Sequence, residues 1–135
     1  YTAVNQVKQI GIKENHFMFK QLFGQRQVSR TAVKQINVAE LKEKLDADEP
    51  VVLVDVRTPG EYEYDGHIAG SRLIPLSVLT SRTHEIPKDK TIVCVCRSGN
   101  RSYTACEMLA SQGFTDVINL SGGMIGWRRA GYPHQ

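Results

Sequence analysis

The sequence predicts an α/β domain built on a mostly parallel sheet covered by helices on both faces. Three observations carry that expectation. Short apolar runs rich in β-branched residues, Val51-Val52-Leu53-Val54 and Thr91-Ile92-Val93-Cys94-Val95, have the character of strands buried on both faces. Segments of helical periodicity separate them, and strands alternating with helices at this spacing read as βαβ units. A chain of 135 residues with 41% hydrophobic and 23% charged residues suits one globular domain with a sizeable core, and excludes a disordered or fibrous chain.

Residues 1–30 stand apart. They carry five basic side chains (Lys8, Lys13, Lys20, Arg26, Arg30) against Glu14 alone, a charge of +4, while the remaining 105 residues carry 12 basic and 13 acidic side chains, a charge of −1. Positive charge thus belongs to the leading segment, which argues against a nucleic-acid face on the main domain. Val4, Val7 and Ile10 have helical spacing, and Ile12, Phe17, Phe19, Leu22 and Phe23 form a second apolar cluster, so a basic helical extension is expected. A dimerisation arm, a docking segment and a membrane-surface helix are all compatible with its composition, which selects none of them. The sequence leaves the oligomeric state open.

From Val33 to Ile36 a short edge strand is expected. Asn37 then reads as the N-cap of a helix through Leu45, with Glu40 three residues on completing a capping box. Asp46 to Pro50 ends that helix, Val51 to Val56 forms the next strand, and Thr58-Pro59-Gly60 reads as its break. A helix is expected over Pro75–Thr80 and a turn at Pro87-Lys88-Asp89-Lys90, leading into the strand Thr91–Val95. The following helix runs to Gln112, with Gly113 at its C-terminal stop. Asp116 to Leu120 is the last strand, Ser121-Gly122-Gly123 a tight turn, and Met124 to Ala130 a final helix carrying Trp127. No stretch of 18 apolar residues suggests a membrane span.

In an open parallel sheet, ligands sit beyond the carboxyl ends of the strands. Three such ends carry suggestive residues: Asp55 and Arg57, the stretch Cys96-Arg97-Ser98-Gly99-Asn100-Arg101-Ser102, and Ser121-Gly122-Gly123. Cys96 falls where a buried strand ends and a helix begins. The unpaired N–H groups and dipole of a helix start favour a thiolate there, as do Arg97 and Arg101 beside it, making Cys96 a candidate nucleophile. Cys94 reads as core packing, with a resolving thiol as its alternative reading, and Cys106 as a core residue of the helix. Three cysteines without a disulfide pattern favour a reducing, cytoplasmic compartment. Neither the cysteines nor the scattered His16, His67, His84 and His134 have metal-ligand spacing, so neither a metal nor a cofactor is expected. His67 reads as structural, because a thiol activated by a helix terminus needs no general base. Asp55 and Arg57 read as a buried pair supporting the loops around them.

These residues together resemble a known family. Asp55-Val56-Arg57-Thr58-Pro59-Gly60-Glu61-Tyr62 and Gly66-His67-Ile68-Ala69-Gly70-Ser71 are similar to the two amino-terminal signatures of rhodanese domains. Cys96 to Ser102 resembles their active-site loop, and Gly122-Gly123-Met124-Ile125-Gly126-Trp127 through Gly131-Tyr132-Pro133 their closing motif. Ser71 stands where alanine is common in the family. The resemblance runs from about residue 33 to the end and implies a five-stranded, three-layer domain over 31–135, with 1–30 outside it.

The resemblance further implies a sulfurtransferase that carries sulfur as a persulfide on Cys96. Thiosulfate would serve as a donor, a thiol or cyanide as the acceptor, and a sulfur-accepting protein as a further candidate partner. The loop from Arg97 to Ser102 would hold the persulfide, with Arg97 and Arg101 guiding an anionic donor and Arg101 also closing the loop. Two other functions compete. A cysteine-based phosphatase or arsenate reductase would need a wider loop, with five residues between cysteine and arginine; only four separate Cys96 from Arg101. A non-catalytic binding module would keep the loop with an ordinary thiol.

Overall fold

The computed structural model describes residues 33–135; the extension expected over 1–30 lies outside that range. Strand β1 (Lys34–Ile36) leads into helix α1 (Val38–Asp46), whose N-cap is Asn37. The capping box expected there is present: Asn37 Oδ1 accepts from the Glu40 N–H at 2.8 Å, and Glu40 Oε1 accepts from the Asn37 N–H at 2.9 Å. Strand β2 (Val51–Asp55) is followed by helix α2 (Pro59–Tyr64), where the sequence suggested only a break. Proline at the first helical position needs no N–H partner, and Thr58 and Glu61 form a second capping box, so a helix starts on residues that also suit a turn.

A two-residue strand β3 (Arg72–Leu73), not anticipated from the sequence, joins the sheet. The helix expected over Pro75–Thr80 is a 3-10 helix over Leu76–Ser81, followed by a second short one at Thr83–Glu85. Strand β4 (Thr91–Val95), helix α3 (Asn100–Ser111), strand β5 (Val117–Leu120) and helix α4 (Gly123–Arg129) complete the described chain. None of the described helices is long and apolar enough to cross a membrane.

The five strands are all parallel, in the order β1-β5-β4-β2-β3. β4 lies at the centre, with Val54 opposite Cys94 on one side and Asn119 opposite Cys94 on the other. Its side chains alternate between two cores. Ile92, Cys94 and Cys96 pack with Ala105, Cys106 and Leu109 of α3 and with Leu79 and Ile86. Val93 and Val95 pack on the other face with Leu41 of α1 and with Met124 and Trp127 of α4. Burial on both faces explains why β4 reads as an unbroken apolar run rather than an alternating one. The three-layer α/β class expected from the sequence is the observed one.

Helix α4 is fixed from its far side as well. Trp127, 1% exposed, donates from Nε1 to the Pro133 carbonyl at 2.9 Å and meets Tyr132 edge-on, with ring centroids 5.0 Å apart. The backbone of Gln135 in turn pairs reciprocally with that of His67, at 2.9 and 2.7 Å.

Candidate active site

The three strand ends singled out in the sequence do meet. After β4 the chain turns through Cys96–Gly99 into α3, and this loop is gripped by α4. The N–H groups of Met124 and Ile125 donate to the carbonyls of Cys96 and Arg97 at 2.9 and 3.0 Å. With those carbonyls drawn outward, loop N–H groups face the sulfur: Gly99 N donates to Cys96 Sγ at 3.1 Å and Ser102 N at 3.3 Å. Two glycines make the grip possible. Gly99 caps α3 with φ of 108°, and Gly123 has φ of 52°, where a Cβ would lie 2.5 Å from both the Cys96 and Arg97 oxygens.

Cys96 is 1% exposed, at the floor of the loop. Burial pushes its thiol up. Hydrogen bonds from the Ser102 hydroxyl and from the N–H groups of Ser102, Gly99 and Ser98 outweigh that and hold it below its ordinary value of 9.0. Cys94 shows the opposite environment. With Cys106 beside it and with full burial, its thiol is pushed well above the ordinary value, which leaves it an uncharged core group.

Ser102 Oγ lies 3.2 Å from Cys96 Sγ and donates to Asn119 Oδ1 at 2.5 Å. Asn119 Nδ2 donates to the Gly99 carbonyl at 3.1 Å and to Gln35 Oε1 at 3.0 Å. Neither Asn119 nor Gln35 stood out in the sequence. The one available signal was an amide in the middle of an otherwise apolar strand, Val117-Ile118-Asn119-Leu120.

Arg101 leaves the loop toward α2, where its Nη1 and Nη2 donate to Glu61 Oε1 and Oε2, both at 2.8 Å. This fork-to-fork pair ties the loop to α2 and holds the Glu61 carboxyl down at about 2, principally through Arg101. Arg97, Ser98 and Asn100 are exposed on the outer side of the loop.

Asp55 and Arg57, at the end of β2, form a fully buried pair with Nε–Oδ1 at 2.9 Å and Nη2–Oδ2 at 2.8 Å. Arg57 also donates to the Gly66 carbonyl at 2.8 Å and to the Glu61 carbonyl at 3.4 Å, so it is tied both to α2 and to the turn that follows it. His67 stacks on Tyr62, with centroids 3.7 Å apart, and its Nδ1 lies 2.9 Å from the Tyr62 carbonyl. It belongs to the wall of α2 and is not drawn into the hydrogen bonds around the sulfur.

Two cavities flank the loop. One of about 290 Å³ is lined by Val56, Arg57, Thr58, Pro75, Leu76, Ser77 and Arg101. The other, of about 280 Å³, is more polar and is lined by the loop residues Ser98 to Asn100 with Gln35 and Asn119. A larger cavity of about 410 Å³ against Trp127 and Ile68 contains no loop residue. Among the described residues no group of acidic, histidine or cysteine side chains is arranged to hold a metal ion.

Known proteins are similar to this chain in sequence and fold. A protein of Allochromatium vinosum named as a sulfurtransferase is 45% identical over 101 residues, spanning 75% of this chain and 94% of that one. The thiosulfate sulfurtransferase GlpE of Pseudomonas fluorescens is 37% identical over 86 residues, 64% of this chain and 77% of its own. A Rhodopseudomonas palustris structure, described as of unknown function and a possible tyrosine phosphatase, superposes with a TM-score of 0.73 at 27% identity, covering 81% of this chain and 89% of that one. The model of the Rhodanese-like domain family matches residues 37–130, from the cap of α1 to the end of α4. With that match spanning most of the chain and a sulfurtransferase relative 45% identical, the chain belongs to the rhodanese-like family.

Proposed function

We propose that the protein is a sulfurtransferase that takes sulfane sulfur onto Cys96 and passes it to a thiophilic acceptor. The observation that carries this reading is the set of donors converging on Cys96 Sγ: the N–H groups of Gly99 and Ser102 at 3.1 and 3.3 Å, at the start of a 12-residue helix. Such a nest stabilises a sulfur anion without a general base.

In the first step the Cys96 thiolate attacks the outer sulfur of a donor such as thiosulfate. A bond forms between the two sulfurs, the donor's own S–S bond breaks, and sulfite leaves with the bonding pair. In the second step an acceptor, a thiolate or cyanide, attacks the outer sulfur and Cys96 departs as a thiolate. Thiosulfate is the donor named for the GlpE relative and is carried over on that likeness. Exposed Arg97 supplies positive charge at the loop, while both outer nitrogens of Arg101 are engaged by Glu61. That engagement weighs against a phosphatase, in which the arginine closing the loop faces the oxyanion. So does the four-residue spacing from Cys96 to Arg101. On the same reading residues 31–135 form the sulfur-handling domain, and the basic segment 1–30 is an appendage to it.

Intact-mass measurement after incubation with thiosulfate tests the proposal. One added sulfur atom is expected, removed by cyanide, with none on Cys96→Ser. No adduct from thiosulfate or any other sulfane donor would sink it.

A further inference from the structure

Ser102 has one hydroxyl proton and two neighbours that want it. Asn119 Oδ1 lies at 2.5 Å and Cys96 Sγ at 3.2 Å. The orientation of Asn119 is not free. Its Nδ2 faces the Gly99 carbonyl oxygen, which can only accept, so Oδ1 must face Ser102. Ser102 is fully buried and Asn119, though it borders the 280 Å³ cavity, is only 2% exposed, so solvent is a poor replacement for a donor that turns away. While Cys96 is a thiol, every group is satisfied: S–H donates to Ser102 Oγ, and Ser102 O–H donates to Asn119. When the thiol ionises, its proton leaves for solvent and the sulfur becomes a charged acceptor. Ser102 O–H then rotates to the sulfur, and Asn119 Oδ1 loses its donor.

Resting on the reading that Cys96 is the sulfur-accepting nucleophile, we propose that Asn119 is a positioning residue that acts through Ser102. It retains the Ser102 proton in the uncharged states of Cys96 and yields it only to the thiolate. A persulfide leaves Sγ uncharged and moves the negative charge to the outer sulfur, so Ser102 returns to Asn119 once sulfur is loaded. The amide therefore opposes accumulation of an unloaded thiolate and favours its conversion to the loaded state. No covalent bond and no proton transfer between Ser102 and Asn119 is involved, only rotation about the serine Cβ–Oγ bond. Gln35, bonded to Asn119 Nδ2 at 3.0 Å, ties this relay to edge strand β1.

The thiol's other titratable and charged surroundings stay fixed in the test. They are Arg97 and Arg101 on its own loop, Glu61 of α2, the Asp55–Arg57 pair after β2, and Cys94 and Cys106 in its core cluster. The readout is the pH dependence of Cys96 alkylation by iodoacetamide, followed by mass on the full chain. It needs no sulfur donor, so its outcome is separate from whether the protein transfers sulfur. Because an unsatisfied buried acceptor disfavours ionisation, Asn119→Leu is expected to lower the apparent pKa by about one pH unit, roughly tenfold more thiolate at a given pH. In a Ser102→Ala background the same substitution is expected to have no effect, because no hydroxyl remains to be released.

A rise or no change on Asn119→Leu, or an equal change in both backgrounds, would overturn the proposal and leave Asn119 only as a brace for the Gly99 carbonyl. Should Asn119→Leu fail to fold, the side-chain amide resonance of Asn119 in the unmodified protein gives the answer. It is expected to titrate with the Cys96 pKa and to lose that response in Ser102→Ala; persistence of the response there would equally refute the relay.

Discussion

The clamp between Arg101 and Glu61 makes a prediction whose size follows from the structure. Glu61→Gln removes the charge while keeping a side-chain oxygen that can accept from the Thr58 N–H at 3.0 Å, so the cap of α2 survives and the ion pair alone is lost. The Glu61 carboxyl lies at about 2 in the folded protein against an ordinary 4.5. Taken at full strength that gap corresponds to roughly 3 kcal/mol. The side chains of Arg101 and Glu61 are 37% and 21% exposed, so solvent screening reduces it to about 1–2 kcal/mol. For a domain of this size the variant's Tm at neutral pH should fall by about 5–10 °C.

The pH dependence has a fixed sign. A carboxyl whose pKa is depressed by folding contributes its full stability above the unfolded value of 4.5 and loses it as pH falls through the folded value of about 2. Urea unfolding of both proteins from pH 7 down to pH 2.5 should show a gap that is constant above pH 5 and narrows below it. A gap of the same size at both ends, or none at pH 7, would refute the assignment of that stability to the Glu61 charge.

Two other substitutions probe the supports of the loop. Gly123→Ala places a Cβ 2.5 Å from the Cys96 and Arg97 oxygens at a φ of 52°, and should cost about 3 kcal/mol in urea unfolding and abolish sulfur uptake by intact mass. Near-normal stability with normal uptake would show that α4 does not grip the loop as described. Asp55→Asn strips Arg57 of its buried counter-charge and should destabilise by about 3–5 kcal/mol, measured by the same unfolding. A loss under 1 kcal/mol would mean that the Gly66 and Glu61 carbonyls suffice to hold the guanidinium.

What could be read from the sequence was what local chemistry decides. Cys96 stood out because a buried strand stops there and a glycine-containing turn follows, and the Asn37–Glu40 cap because its partners are three residues apart. Thr58-Pro59-Gly60 was ambiguous for a physical reason: the same residues punctuate a turn and start a helix, and it is Glu61 that tips the balance. Partners distant in sequence were not legible. Arg101 and Glu61 are 40 positions apart, Ser102 and Asn119 are 17 apart, and Asn119 and Gln35 are 84 apart. These contacts exist because parallel pairing brings the carboxyl ends of β1, β5, β4 and β2 to one edge, and only the assembled sheet specifies which side chains meet there.

The double attachment of α2 bears on how the loop moves. Arg57 holds the carbonyls of Glu61 and Gly66, while the side chain of Glu61 holds Arg101. Loop, short helix and β2 end are thus linked in series, and the loop cannot swing out alone without breaking the Glu61 clamp. Their backbone amides should accordingly open to hydrogen exchange as one cooperative unit, with a common opening free energy, rather than fraying residue by residue from the exposed crest at Ser98. A six-residue helix with no buried residue of its own is, in that sense, the hinge plate on which the Cys96 loop is mounted.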